Sequence, residues 1–205
     1  MNINSYNNPS LAILLSMTIW WTGCAATTVN KNATKLRFHD DISVRYLFGA
    51  FDTYPSLVQQ VVFQKGNTTL EFTAMVELKP DSMTMAGLSP LGARQFLMTV
   101  SKSNFAYEGQ MLFDLPFPPQ YLARDFLLTF AKADFLKRQI QGAQVDDTPK
   151  QRIVRYGNHT VHVTYSSRGF RTGEIQFSHE TDGYSLQIQT VQVDFPGEMI
   201  TSKDN

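Results

Sequence analysis

Alternation of apolar and polar residues constrains this chain more than any other feature. In "TLEFTAMVELK" (residues 69–79), Leu70, Phe72, Ala74, Val76 and Leu78 share one parity, and Glu71, Thr73, Met75 and Glu77 the other. A period of two is the mark of a half-buried β-strand. The pattern recurs with Met83 and Met85, with Phe96, Met98 and Val100, and with Phe105 and Tyr107. It returns with Val161, Val163 and Tyr165, with Ile175 and Phe177, and with Tyr184, Leu186 and Ile188. After Thr190 the parity reverses, since Val191, Val193 and Phe195 are out of step, which predicts a bulge or break. Turn signals such as "PDS" and "SKSN" separate the runs at short intervals, as in an antiparallel meander.

The middle of the chain follows a different period. "QYLARDFLLTFAKADFLKRQIQG" (120–142) sets Leu122, Phe126 and Phe130 four apart, and Phe135, Leu136 and Ile140 continue the stripe. The spacing predicts one or two helices, bent near 131–134 and stopped at Gly142. Residues 143–150 read as a polar loop. The expected class is α+β, mainly antiparallel β: an incomplete, strongly curved barrel with one or two helices covering its concave face. A chain of 205 residues with 42% hydrophobic content is long enough for one well-buried core. Lys and Arg balance Asp and Glu at 18 each, which excludes a binder driven by basic charge to nucleic acid.

Catalytic motifs are absent: no G-x-S-x-G, P-loop, G-x-G-x-x-G or H-E-x-x-H occurs. His39-Asp40-Asp41 reads as a solvated turn, His159 as a turn residue, His162 as an exposed strand residue and His179 as a surface residue. Asp125 sits beside the apolar stripe, where it would pair with a sheet residue. No nucleophile and base can be matched, so neither catalysis, cofactor nor metal is expected. What remains is apolar: Phe72, Met83, Met85, Phe96, Met98, Phe126, Phe130 and Phe135. These residues suit either a packed core or a cavity for a flexible chain, because Met repacks readily around varied shapes.

At the N-terminus, "LAILLSMTIWW" (11–21) is an apolar run too short to span a bilayer as a helix and long enough for a signal-peptide core. Thr22, Gly23 and Cys24 follow. This resembles the lipobox of bacterial lipoproteins, with Trp21 where that motif usually has Leu. The resemblance implies a signal peptide at 1–23, lipidation of Cys24, and a polar tether over 24–35 that leads to a single domain at 36–205. Ala25 after the cysteine implies sorting to the outer membrane, on its periplasmic face. The other fate for a lone cysteine is burial at the end of a hydrophobic helix.

"SLVQQVVF" (56–63), the block at 70–100 containing "MAGLSPLGARQF", "LPFPPQYLARDFLLTF" (115–130) and "GYSLQIQTV" (183–191) resemble the DUF3261 lipoproteins, in the same order. The "SPLG" stretch, Ser89 to Gly92, is also similar to a strand of the lipoprotein receptor LolB. The resemblance implies a LolA/LolB-like fold with a hydrophobic cavity for an acyl or aryl polyene lipid, anchored to the outer membrane. It implies that Leu88 or Leu91 touches a membrane or partner, unless the loop is an ordinary hairpin. The alternative role is an anchored, non-catalytic accessory or scaffold protein for a lipid or pigment biosynthesis system.

Overall fold

The computed structural model describes residues 36–39, 42–44, 49–101, 104–109 and 117–196. The leader, Cys24 and the tether lie outside the described residues, as do 110–116 and the tail from 197. A short hairpin opens the described part, β1 (Leu36–His39) and β2 (Ile42–Val44). Five strands follow: β3 (Ser56–Lys65), β4 (Thr68–Lys79), β5 (Ser82–Leu88), β6 (Arg94–Ser101) and β7 (Phe105–Gly109). Helices α1 (Gln120–Phe130) and α2 (Ala133–Gln139) come next. The chain returns to strands β8 (Gln144–Asp147), β9 (Gln151–Tyr156), β10 (His159–Tyr165), β11 (Gly173–His179) and β12 (Tyr184–Asp194).

Strands β3 to β12 form one antiparallel sheet in the order β7-β6-β5-β4-β3-β12-β11-β10-β9-β8. The edge strands β7 and β8 do not pair with each other, so the sheet is an unclosed barrel. Ten strands at roughly 4.8 Å spacing would make a flat sheet about 43 Å wide. An eleven-residue helix is about 16 Å long. Even so, inward residues are buried on every strand of the sheet, from Phe105 on β7 to Val145 on β8. Two short helices cover that much surface only if the sheet curls around them, and the right-handed twist of strands makes it curl.

Local chemistry explains the details. The parity reversal after Thr190 is a register shift against β3 between Thr190 and Gln192. The helix breaks at Ala131 and Lys132, both with extended backbone. Gly87 on β5 lies under the Phe96 ring, where an added Cβ would come within 2.1 Å of it. No other residue allows that approach. Residues 144–147, expected as loop, are instead edge strand β8, with Val145 opposite Val154. Only one of its four side chains is buried, so it shows no alternation. Cross-strand pairs of Asp146 with Arg155 and Asp147 with Arg152 hold it in place.

Candidate functional site

Helix α1 is buried from Leu122 to Thr129, including two charged residues. Its position is set by side chains far away in sequence. Arg124, 0% exposed, stacks 3.8 Å over the Tyr121 ring. Its Nε donates to Asp125 Oδ1 (2.8 Å), Nη1 to Asp182 Oδ2 (3.2 Å) and Nη2 to the Tyr184 hydroxyl. That hydroxyl donates in turn to Asp125 Oδ2. Asp125 therefore pairs with a sheet residue, as expected. Burial pushes the Asp125 carboxyl above its usual range, and Arg124 and Tyr184 offset only part of that. Burial works against the Arg124 charge, but Asp125 and the neighbouring Tyr184 and Tyr156 outweigh it and hold the guanidinium protonated.

The other end of α1 is tied through its free carbonyls. Arg152 Nη1 donates to Leu128 O (2.9 Å) and Thr129 O (3.2 Å), and the Tyr165 hydroxyl donates to Thr129 O (2.7 Å). A cation at a helix C-terminus satisfies both the orphan acceptors and the dipole. Asp147 anchors Arg152 and also accepts from Arg168. Burial alone would raise the Asp147 carboxyl, yet the hydrogen bonds and charges of these two arginines hold it below its usual range.

Between these ties, α1 crosses the centre of the sheet over a void of about 40 Å³. From the sheet it is lined by Gln59, Val61, Phe72, Ala74, Met85, Leu186 and Ile188, and from α1 by Leu122, Asp125, Phe126, Thr129 and Phe130. The Phe126 and Phe130 rings meet at a tilt, 4.7 Å apart, Phe126 packing edge-on against Phe51 and Phe130 stacking on Phe170. A buried water needs roughly 10–15 Å³ of such space, so the void has room for about three or four waters. An acyl chain needs several times more and would enter only as side chains repack or α1 lifts.

The structure brings four of the eight sequence candidates to this void: Phe72, Met85, Phe126 and Phe130. Met83, Phe96, Met98 and Phe135 are buried in the same core but do not border it. Sequence reasoning passed over Gln59 and Thr190, a buried polar pair linked by a 3.0 Å hydrogen bond on adjacent strands β3 and β12. Both were legible, since Gln59 shares its parity with Leu57, Val61 and Phe63, and Thr190 with Leu186 and Ile188. Leu91 is 97% exposed at the tip of the β5–β6 loop. Its turn is closed by Gly92 N–H to Ser89 O, with Pro90 second and Gly92 at positive φ. Leu88 ends β5 and is half-buried.

Two histidines are not where the sequence suggested. His159 opens β10 and His179 ends β11, and both are buried beneath the turn that carries Asp182, beside Tyr156 and Tyr184. Their alternating positions face inward, and the turn folds Asp182 back to Arg124. His159, His179 and Asp182 hold ligand-type atoms within 4.8 Å of one another. Burial, with Arg124 and His159 nearby, pushes His179 down to about 4, against a smaller upward pull from Asp182. The ring is thus neutral. Its Nδ1 accepts the Asp182 backbone N–H at 3.2 Å, so the proton sits on Nε2, facing the Tyr156 hydroxyl at 3.1 Å. These contacts tie the β11–β12 turn to Tyr156 and Arg124 as a clasp. His162 is half-exposed and meets Glu180, as a strand residue facing outward should.

A family model described as "Protein of unknown function (DUF3261)" matches residues 56–192. No curated protein matches the chain. Among solved structures, a partial likeness is found to a domain provisionally identified as an outer membrane lipoprotein-sorting protein domain, from Vibrio parahaemolyticus. Identity is 9%, with 72% of this chain and 87% of that chain covered, at a TM-score of 0.36. At that identity and score the two chains share too little for one to inform the other.

Proposed function

We propose, from the premise that the chain belongs to the DUF3261 family, that it binds or hands on a lipid-like molecule and catalyses nothing. The bound part is an acyl or aryl polyene chain. It lies between α1 and the sheet, with Cys24 acylated and the domain tethered to the periplasmic face of the outer membrane. The observation that carries this reading is the partly open, mainly apolar void between α1 and the centre of an unclosed sheet. Close packing is the rule in protein interiors, and a mainly apolar gap between α1 and the sheet is a place where a chain replaces poor contacts. Met85 and the Phe rings around it can repack without disturbing the backbone. A lipid anchor contributes about 0.8 kcal/mol per buried CH2, so two or three acyl chains on Cys24 hold the protein to the membrane. The exposed Leu91 then meets the bilayer or a protein partner of the same lipid system.

The test is uptake of a polyene fatty acid that fluoresces only in apolar surroundings. Saturable uptake at one site per chain, reduced by Ala74→Ile, supports the reading. An unchanged signal in wild type and variant, or none in either, contradicts it.

A further inference from the structure

We propose that Gln59 is the docking point for a neutral hydrogen-bonding group on the bound chain, so that the preferred ligand is hydroxylated and not a plain hydrocarbon tail. This inference rests on the preceding reading that a chain enters this void.

Gln59 is 3% exposed and lines the void from its floor on β3. Its amide makes one hydrogen bond among the described residues, Nε2 to Thr190 Oγ1. A carboxamide has two donors and two acceptor lone pairs, so most of its capacity is unused. Turning the amide over would leave the same surplus. Burying such a group without partners is costly, and buried polar groups are as a rule satisfied. The void supplies the missing partner, as water when empty and as a ligand group when filled. Thr129 faces the same void from the roof. Its hydroxyl donates to Asp125 O and keeps its acceptor lone pairs. The backbone agrees, because Thr190 stands at the bulge of β12 and bulges re-aim side chains beside sites.

Charge decides what kind of group fits. The void's lining includes one carboxylate, Asp125, already matched by Arg124 and Tyr184, and no cation. An ionised carboxylate would enter beside that negative charge with nothing to balance it. An ammonium would find Asp125 already taken. A hydroxyl suits the site, donating to the Gln59 carbonyl or Thr129 and accepting from the Gln59 N–H.

The experiment measures displacement of the fluorescent polyene fatty acid from the purified full chain. The competitors are methyl hexadecanoate and its singly hydroxylated positional isomers. Wild type is expected to bind the best hydroxylated ester about tenfold more tightly than the plain one, because the plain chain leaves the buried amide without a partner. Gln59→Met, close in shape, erases that preference while keeping the plain ester within about threefold. Thr190→Ser keeps the hydroxyl that holds the amide and retains the preference. Equal binding of all esters by wild type, or a preference that survives Gln59→Met, overturns the inference and leaves lipid binding standing. Displacement by no ester, with no uptake of the fluorescent acid itself, overturns both.

Discussion

At its ends helix α1 is held by charge, and in its middle by apolar contact around a void. The N-terminal half carries Arg124 and Asp125, whose partners Asp182 and Tyr184 come from the β11–β12 hairpin. The C-terminal turn is gripped by Arg152 and Tyr165 from β9 and β10. The stretch between them meets Val61, Ala74, Met85 and Ile188 across space that side chains do not fill. Directional bonds fix where the helix lies and do not add much net stability, since burying ions costs nearly what their pairing returns. The apolar middle adapts more easily, because nothing there depends on one geometry. A rigidly placed roof over an underfilled seam is an arrangement suited to a guest.

Removing one ion of the charged end should give the largest effect. Arg124→Met leaves Asp125 and Asp182 without their cation, and denaturant unfolding should show a loss of about 3–5 kcal/mol. A loss as small as that of an ordinary core substitution would mean that charge does not fix the helix.

Acid separates the two regions next. The neutral His179 ring titrates near 4 when folded and near 6.5 when unfolded. Its contribution is fully present above pH 6.5. It declines below that, as the unfolded chain takes up a proton that the folded one refuses, and is lost by about pH 4. The loss amounts to roughly 3 kcal/mol. Asp125, raised by burial, acts in the opposite sense. The informative comparison is therefore wild type against His179→Gln, which should lose stability less steeply between pH 6.5 and 4. Parallel curves would show that the clasp carries no proton linkage.

The middle should respond weakly in stability and strongly in uptake. Ala74→Val fills the void and stabilises by at most about 1 kcal/mol, from roughly 24 cal/mol per Å³ of cavity removed. It should also cut uptake of the fluorescent acid severalfold. At the loop tip, Leu91→Ser should shift stability by less than about 0.5 kcal/mol, because the side chain touches little. Sedimentation with phospholipid vesicles should fall all the same. Unchanged sedimentation would return the loop to an ordinary hairpin.

Much of the architecture was legible in the sequence because a period-two pattern reports which face is buried. Leu70 to Leu78, the break after Thr190 and the bend near 131–134 all follow from that kind of local signal. The same signal could not separate Phe72 and Met85 from Met83, Phe96 and Met98. All five face inward, and only those beneath α1 border the void. Where α1 lies is decided by Arg124 with Tyr184 and by Arg152 with Thr129, pairs joined across long stretches of chain. The expectation for His159 and His179 ran against their own parity, since His159 is in step with Val161 and Val163 and His179 with Ile175 and Phe177 on the buried face. Strand β8 escaped notice because an edge strand of four residues with one buried side chain carries no period at all.

The central claim is that the seam beneath α1 takes up a lipid chain. Native mass spectrometry of the protein purified from its own host addresses it most directly, because one spectrum reports bound lipid and the modification on Cys24 together. The account predicts a population heavier by one noncovalent acyl or polyene lipid, lost on mild activation and much reduced in Ala74→Ile. A single mass without bound lipid, together with no uptake when fatty acid is added back, would contradict it.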